Sequence, residues 1–286
     1  MAHASRNLLI TGVSSGFGRA LAGAAVQEDH IVVGTVRREE DAAAINALGD
    51  NAHARLVDVT DDDAVQDLVR WTEQEVGPVD VLIANAGYGH EGTMEESTMR
   101  QLRDQFDVNV FGAVASIKAV LPHMRARHDG HIIGITSMGG LMTMPGLTYY
   151  HGSKFALEGI LGSLAKEVGP LGIKVTAVAP GSFRTAWAGR SMVRAESQIP
   201  DYEPIFGPQR AARLAANGNQ LGDPAKAARV LLELIEMDNP PAHLILGSDA
   251  LRLVKTDRAA ADAEFDRWAQ LSASTDFADG AQIAST

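Results

Sequence analysis

Between Asn7 and Gly247, short apolar runs alternate with longer amphipathic stretches, and that alternation leaves few folds open. The runs are "NLLITG", "IVVGTV", "ARLVDV", "VDVLIANAG", "HIIGIT", "IKVTAVAPG" and "HLILG". They are rich in Val, Ile and Leu without polar alternation, as in strands buried on both faces. Helical patterns lie between them. Over residues 61–76, for example, Val65, Leu68, Val69, Thr72 and Val76 recur on one helical face. Repeated strand–helix alternation predicts a mainly parallel sheet covered on both sides. Seven strand candidates and a glycine-rich first turn favour a doubly wound Rossmann-type α/β domain over a TIM barrel.

Composition narrows the functional classes. A chain of 286 residues, 45% of them apolar, can build this sheet as a single domain spanning 1–286. The net charge of −11 opposes nucleic acid or an anionic membrane surface as partner. With no cysteine, disulfides, thiolate metal sites and a cysteine nucleophile are excluded, and a reducing cytosol is compatible. The start "MAHASRNLLITG" lacks a signal-peptide apolar core. No apolar run reaches the ~20 residues of a membrane span. The expectation is a soluble, cytoplasmic protein.

Two regions interrupt the pattern. Residues 182–222 form a long insertion carrying Trp187, Met192, Tyr202, Ile205 and Phe206, the composition of a lid that packs on something apolar. It ends at a helix capped by Asp223-Pro224. The second region, about 255–286, reads as a helix near Arg258–Leu271 followed by a polar, mobile tail. His90, His123, His131 and His151 show no metal-ligand spacing and read as surface or loop residues, so no metal is expected.

The first strand runs into "TGVSSGFG", which sets Gly12, Gly16 and Gly18 at the entry to a helix. Glycines there permit a tight turn and close approach of a pyrophosphate to the helix N-terminus. The second strand ends in "GTVRREED". An acidic residue at that strand end would hold ribose hydroxyls, whereas arginine suits a 2′-phosphate. Arg37 and Arg38 therefore favour NADP(H) over NAD(H). The competing reading is a solvated charge run opening the next helix with Glu39, Glu40 and Asp41.

"TYYHGSK" places Lys154 four residues after Tyr150, on one helical face. An ammonium beside a phenol favours the phenolate, which suits Tyr150 for passing a proton to or from an alcohol oxygen. Tyr149 has only Ser153 at that spacing. Ser137 follows the strand "HIIGIT", and the ends of parallel strands are where such sheets bind ligands. The same rule brings Asn85, Ala86 and Gly87, and Pro180 and Gly181, to that edge.

These motifs together resemble the short-chain dehydrogenase/reductase family. "TGVSSGFG", "NAG" at 85–87, "NVFG" at 109–112, Ser137, "YHGSK" at 150–154 and "PG" at 180–181 occur in family order over roughly residues 6–250. Residues 136–161 and "NPPAHLILGSDAL" are similar to the subgroup of 17β-hydroxysteroid dehydrogenases and retinol reductases. The resemblance implies an oxidoreductase in which Tyr150 exchanges a proton with the substrate oxygen as hydride moves to or from nicotinamide. Lys154 would hold the nicotinamide ribose and depress the tyrosine pKa. Ser137 would hydrogen-bond the substrate oxygen, and Asn109 would position a water beside Lys154. Gly12, Ser14, Ser15, Gly16, Phe17 and Gly18 would surround the pyrophosphate, with Asp58 and Val59 near adenine. Asn85, Ala86, Gly87, Pro180, Gly181 and Thr185 would complete the cofactor cleft, which Tyr150 and Lys154 also line. Many NADP(H) members carry a basic residue where this chain has Ser15, so the cofactor choice stays open.

Met138, Met142 and Met144 follow Ser137, and methionine adapts to irregular apolar shapes. With Trp187 they suggest a pocket for a bulky hydrophobic alcohol, ketone or aldehyde; packing beneath the lid is the other reading. A non-catalytic dinucleotide-binding regulator on the same fold is the alternative function, although it would be expected to lose Tyr150 or Lys154. Family members often pair through segments corresponding to 98–127 and 150–169, which implies a homodimer or homotetramer.

Overall fold

The computed structural model describes residues 5–277 apart from 186, 188 and 190. In chain order the strands are β1 (Asn7–Ile10), β2 (Ile31–Val36), β3 (Ala52–Leu56), β4 (Val81–Ala84), β5 (Gly89–Glu91), β6 (Gly130–Ile135), β7 (Ile173–Pro180), β8 (Met192–Arg194) and β9 (His243–Leu246). Seven of them form one parallel sheet in the order β3-β2-β1-β4-β6-β7-β9. All seven predicted runs are present, β3 starting two residues early. The chain leaves β1 first toward β3 and then toward β9, so β1 and β4 flank the point where winding reverses. β5 and β8 pair separately; three residues each is too short for a periodic signal.

The strands sort their side chains by alternation. Leu8 and Ile10 face a layer that includes α1 (Gly16–Gln27) and α8 (Pro224–Ile235), whereas Leu9 between them joins the opposite core. That second core is formed with α3 (Asp62–Trp71), α5 (Gly112–Arg127) and α6 (Thr148–Val168). Asp61 caps α3 by accepting from Ala64 N, and Asp223 caps α8 ahead of Pro224, as the sequence suggests. α6 can lie close to the sheet because β6 carries Gly134. A Cβ there would stand 2.3 Å from Leu161 Cδ1. The remaining helices are α2 (Glu39–Asn46), α4 (Met99–Phe106), α7 (Glu203–Ala215) and α9 (Ser248–Ala273). Among the described residues, no helix is long and apolar enough to cross a membrane.

Two sequence expectations change. The C-terminal helix begins at Ser248, ten residues before the expected Arg258, because Ala250 and Val254 in its first turns are buried. The expected mobile tail falls largely on residues 278–286, outside the described residues. Of the histidines placed on the surface, His90, His131 and His151 are buried. An imidazole with a partner can enter a core, and for His131 that partner lies 45 residues away. His131 on β6 bonds Thr176 Oγ1 on β7 through Nε2 at 3.0 Å.

Burial, with Lys174 and Arg6 nearby, lowers the His131 pKa from 6.5 to about 4. The folded protein thus holds His131 neutral where the unfolded chain would protonate it. Its contribution to stability is intact above the ordinary histidine range and is lost as pH falls from 6.5 toward about 4. Urea unfolding should therefore show His131→Gln losing less stability than the parent between about pH 7 and about pH 4, by roughly 3 kcal/mol. Parallel pH profiles would show that His131 does not govern this limb.

Candidate active site

The turn after β1 depends on glycine at two backbone positions, Gly12 at φ +73° and Gly16 at φ +58°. Gly18 serves packing instead: a Cβ there would lie 2.3 Å from Gly12 O and 2.6 Å from Asn85 Nδ2. Thr11 and Asn85 tie this turn to the end of β4. Thr11 Oγ1 accepts from the amides of Asn85 (2.9 Å) and Ala86 (3.0 Å). Asn85 Nδ2 donates to the carbonyls of Thr11 and Gly12, each at 2.9 Å. α1 starts after Ser15 with no side-chain cap and no acid in its first turn. Its positive end is therefore available to an anion, which fits a dinucleotide pyrophosphate.

Past these strand ends runs a cleft of about 770 Å³. Ser14, Ser15, Gly16 and Phe17 line it beside Gly12, and Asn85, Ala86 and Gly87 form the next stretch of wall. Pro180, Gly181 and Thr185 close the far side. Asp58, Val59 and Arg37 lie at the β2–β3 end, with Arg37 exposed. Arg38 is turned the other way, into ion pairs with Asp41 (2.8 Å) and Glu40 (2.5 Å) at the start of α2. Of the two arginines, Arg37 stands on the cleft, whereas Arg38 is taken up by the acids of α2's first turn.

Ser137, Tyr150 and Lys154 meet inside the cleft and are all buried. Ser137 accepts the Gly139 amide at 3.0 Å, which fixes its oxygen and leaves its own proton free to donate. The Trp187 ring is centred 5.2 Å from that of Tyr150, and Trp187 and Ser137 both favour the ionised phenol. Lys154 Nζ donates to the Ile135 carbonyl at the end of β6, at 2.9 Å. The sequence suggested that Lys154 draws the phenol toward its ionised form. Burial is the larger effect, and the Tyr150 pKa is pushed up to about 12, opposed by Ser137 and Trp187. Burial also lowers Lys154 to about 8, with the Glu158 carboxylate opposing.

Asn109 sits outside the cleft wall, fully buried in a wide π-helical turn, Asp107–Phe111, between α4 and α5. Its amide donates to Tyr88 O (3.0 Å) and Ser153 Oγ (3.1 Å), and its oxygen accepts Tyr88 N (3.0 Å). Tyr149 is a packing residue. Its hydroxyl donates to Ser97 O at 2.9 Å and its ring lies 5.1 Å from His90.

The family profile described as short chain dehydrogenase matches residues 6–194. The chain belongs to this family. It is 37% identical over 243 residues to a 3-ketodihydrosphingosine reductase of Bacteroides thetaiotaomicron, covering 84% of this chain and 87% of the relative. A short-chain dehydrogenase from Streptomyces avermitilis superposes with TM-score 0.89 at 38% identity, covering 96% of this chain and all of that one (100%). ElxO with NADP bound superposes with TM-score 0.72 at 27% identity over 87% of this chain and 100% of its own. This short-chain dehydrogenase is thus an oxidoreductase on a nucleotide-binding fold.

The other side of the cleft is lined from the segment after Ser137 and from within residues 182–222. Met138, Met142, Met144 and Trp187 all line it, and Trp187 packs on a small apolar cluster of Leu147, Tyr150 and Met192. Within 182–222, Phe206 is buried as expected, but Ile205 is exposed. The sequence reading missed what holds this segment down. Glu91 on β5 is fully buried and pairs with Arg194 on β8 (2.8 Å) and Arg213 on α7 (2.6 Å). Arg213 also donates to Pro145 O, and Glu96 accepts the amides of Gln198 (2.8 Å) and Ile199 (3.0 Å). A carboxylate in a run such as "GHEGTMEES" carries no sign of a partner 103 or 122 residues away.

Glu91→Gln should cost on the order of 3 kcal/mol, toward the low end for a broken buried pair because both arginines keep some solvent contact. Hydrogen exchange should accelerate over residues 192–215 while the seven-stranded sheet keeps its protection. Unchanged exchange there would mean the ion cluster does not secure the segment.

Proposed function

We propose that this enzyme exchanges hydride between a nicotinamide cofactor and a hydrophobic ketone or aldehyde, or the matching secondary or primary alcohol, with Tyr150 as general acid or base. The reading is carried by one observation: Ser137, Tyr150 and Lys154 are buried together inside an apolar-walled cleft. The uncapped start of α1 and the glycine turn below it fit the cofactor's pyrophosphate. The cofactor supplies or accepts the hydride.

The residues of the chain handle the proton and the oxygen. With its pKa pushed up to about 12, Tyr150 keeps its proton at neutral pH and can give it to a carbonyl oxygen as charge develops there. Ser137 donates a second hydrogen bond to that oxygen and fixes its position. Lys154, lowered to about 8, remains largely an ammonium near neutrality and stabilises the phenolate left behind. Alcohol oxidation needs the phenol to lose its proton first, so it should gain from higher pH while reduction proceeds near neutrality. Asn109 holds the junction between Tyr88 and α6 through Ser153.

NADP(H) is the favoured cofactor because Arg37 stands exposed on the cleft where a 2′-phosphate would sit. The similarity to ElxO with NADP bound supports a nicotinamide cofactor. Residues 182–222 act as a substrate lid on one catalytic domain, with Met138, Met142, Met144 and Trp187 as the apolar wall. The similarity to a 3-ketodihydrosphingosine reductase supports a ketone carried on an apolar chain. Exposed Met99, Phe111 and Phe155 on the α4–α6 side support a homo-oligomer.

Purified protein mixed with NADPH and a panel of apolar ketones should consume the cofactor, read by its absorbance. Tyr150→Phe should lower turnover roughly a hundredfold or more with cofactor binding retained. Tyr149→Phe should cost only about 1 kcal/mol of stability. Equal losses of turnover from both would refute the assignment. Arg37→Ala should weaken NADPH roughly tenfold more than NADH in titration. Equal effects on the two would remove the arginine from cofactor choice.

A further inference from the structure

His151 follows Tyr150 on α6, so its side chain leaves the helix roughly 100° away from the phenol. It is buried and lines the same cleft. Nδ1 lies 2.7 Å from the Gly139 carbonyl, which can only accept, so Nδ1 carries a proton. Nε2 lies 2.9 Å from the Met144 amide, which can only donate, so Nε2 carries none. The two loops thus select one neutral tautomer between them.

Each loop matters to the site. Gly139 belongs to the turn whose amide donates to Ser137 Oγ at 3.0 Å. Met144 belongs to the apolar wall. There is no slack in this packing: a Cβ on Gly139 would stand 2.9 Å from His151 Nδ1 and 3.2 Å from Tyr150 Cε1.

We propose that His151 is a positioning residue, a neutral imidazole that clamps the Ser137 turn with one nitrogen and the methionine loop with the other. The proposal deepens the reading of Ser137 and Tyr150 as the carbonyl-binding pair and rests on it. Protonation at Nε2 would turn an acceptor into a donor facing the Met144 N–H and release that loop. The charged groups facing the ring are Arg213 on α7, which opposes the cation, and Asp257 on α9, which favours it. Tyr150 on α6 adds a ring centred 6.2 Å away. Burial is the largest influence and keeps the pKa below the ordinary histidine value, so the clamp stays closed at neutral pH and opens on acidification.

Two substitutions separate the two nitrogens. An asparagine amide reaches the Nδ1 position and can keep the bond to Gly139 O, whereas a glutamine reaches Nε2 and can keep the acceptor for Met144 N. His151→Asn should raise KM for bulky ketones roughly five- to tenfold with kcat nearly kept, and His151→Gln should lower kcat by a similar factor. Both variants should lose the acid limb of kcat/KM that the parent shows below the ordinary histidine pKa. Two readouts need no turnover. Imidazole nitrogen NMR of the parent protein, assigned by the signal absent from H151N, should show the Nδ1–H neutral form at neutral pH. Amide exchange should speed up at Met144 in H151N only and at Gly139 in H151Q only. An Nε2–H tautomer or an imidazolium at neutral pH overturns the clamp whether or not any ketone is reduced. So does equal exchange at both amides in the two variants. With the tautomer and exchange as expected, matching kcat and KM changes in both variants would overturn the positioning role. Absence of turnover in the parent would sink the ketone reading alone, and the exchange pattern would then sustain the clamp.

Discussion

A parallel strand buried on both faces has no solvent side, so its polar backbone is satisfied only by neighbours and its free end becomes the one place to present chemistry. In this chain seven parallel strands lie side by side, the five inner ones almost wholly buried, and their C-terminal ends open on one edge. The Thr11 and Asn85 hydrogen bonds lock the ends of β1 and β4 where the winding reverses. Gly134 lets Leu161 press into β6, which brings α6 close enough for Lys154 to reach the Ile135 carbonyl. Helix α6 and the end of β6 are therefore held in one contact, and the rest of the cleft is arranged around it.

Burial then sets the electrostatics. Tyr150 and Lys154 share a helical face, yet the structure places both so deep that each is driven toward its neutral form. A buried phenol suits proton donation, and a buried lysine needs help to stay charged. Glu158, one turn beyond Lys154 on α6, gives that help. It is itself held by Thr136 at 2.5 Å and His243 at 3.1 Å. Thr136, adjacent to Ser137, thus joins the strand end to the same helix face through a carboxylate.

The methionine-lined side of the cleft follows another logic. The walls are methionine, leucine and tryptophan, which attract without orienting, so direction has to come from polar groups beneath them. Glu91, Glu96 and His151 are those groups. Each is placed between two segments, and each holds a stretch of chain whose own sequence would let it wander.

The seven strands, the glycine turn and the placing of Tyr150 and Lys154 one turn apart on α6 were legible in the sequence, because each rests on spacing within a few residues. Periodicity of apolar residues, φ freedom at Gly12 and a lysine one turn away are local properties. The cleft-facing Arg37 and the self-paired Arg38 looked alike, since which way each guanidinium turns depends on Glu40, Asp41 and the fold around them. The burial of His90, His131 and His151, the early start of α9 and the Glu91 ion cluster were decided by tertiary structure alone. Their partners stand on other elements, as with His131 and Thr176 or Glu91 and Arg213, and a buried polar residue looks like a surface one until its partner is in place. Local order came from the chain; the ionisation states and the hold on the apolar wall of the cleft came from what folding brought together.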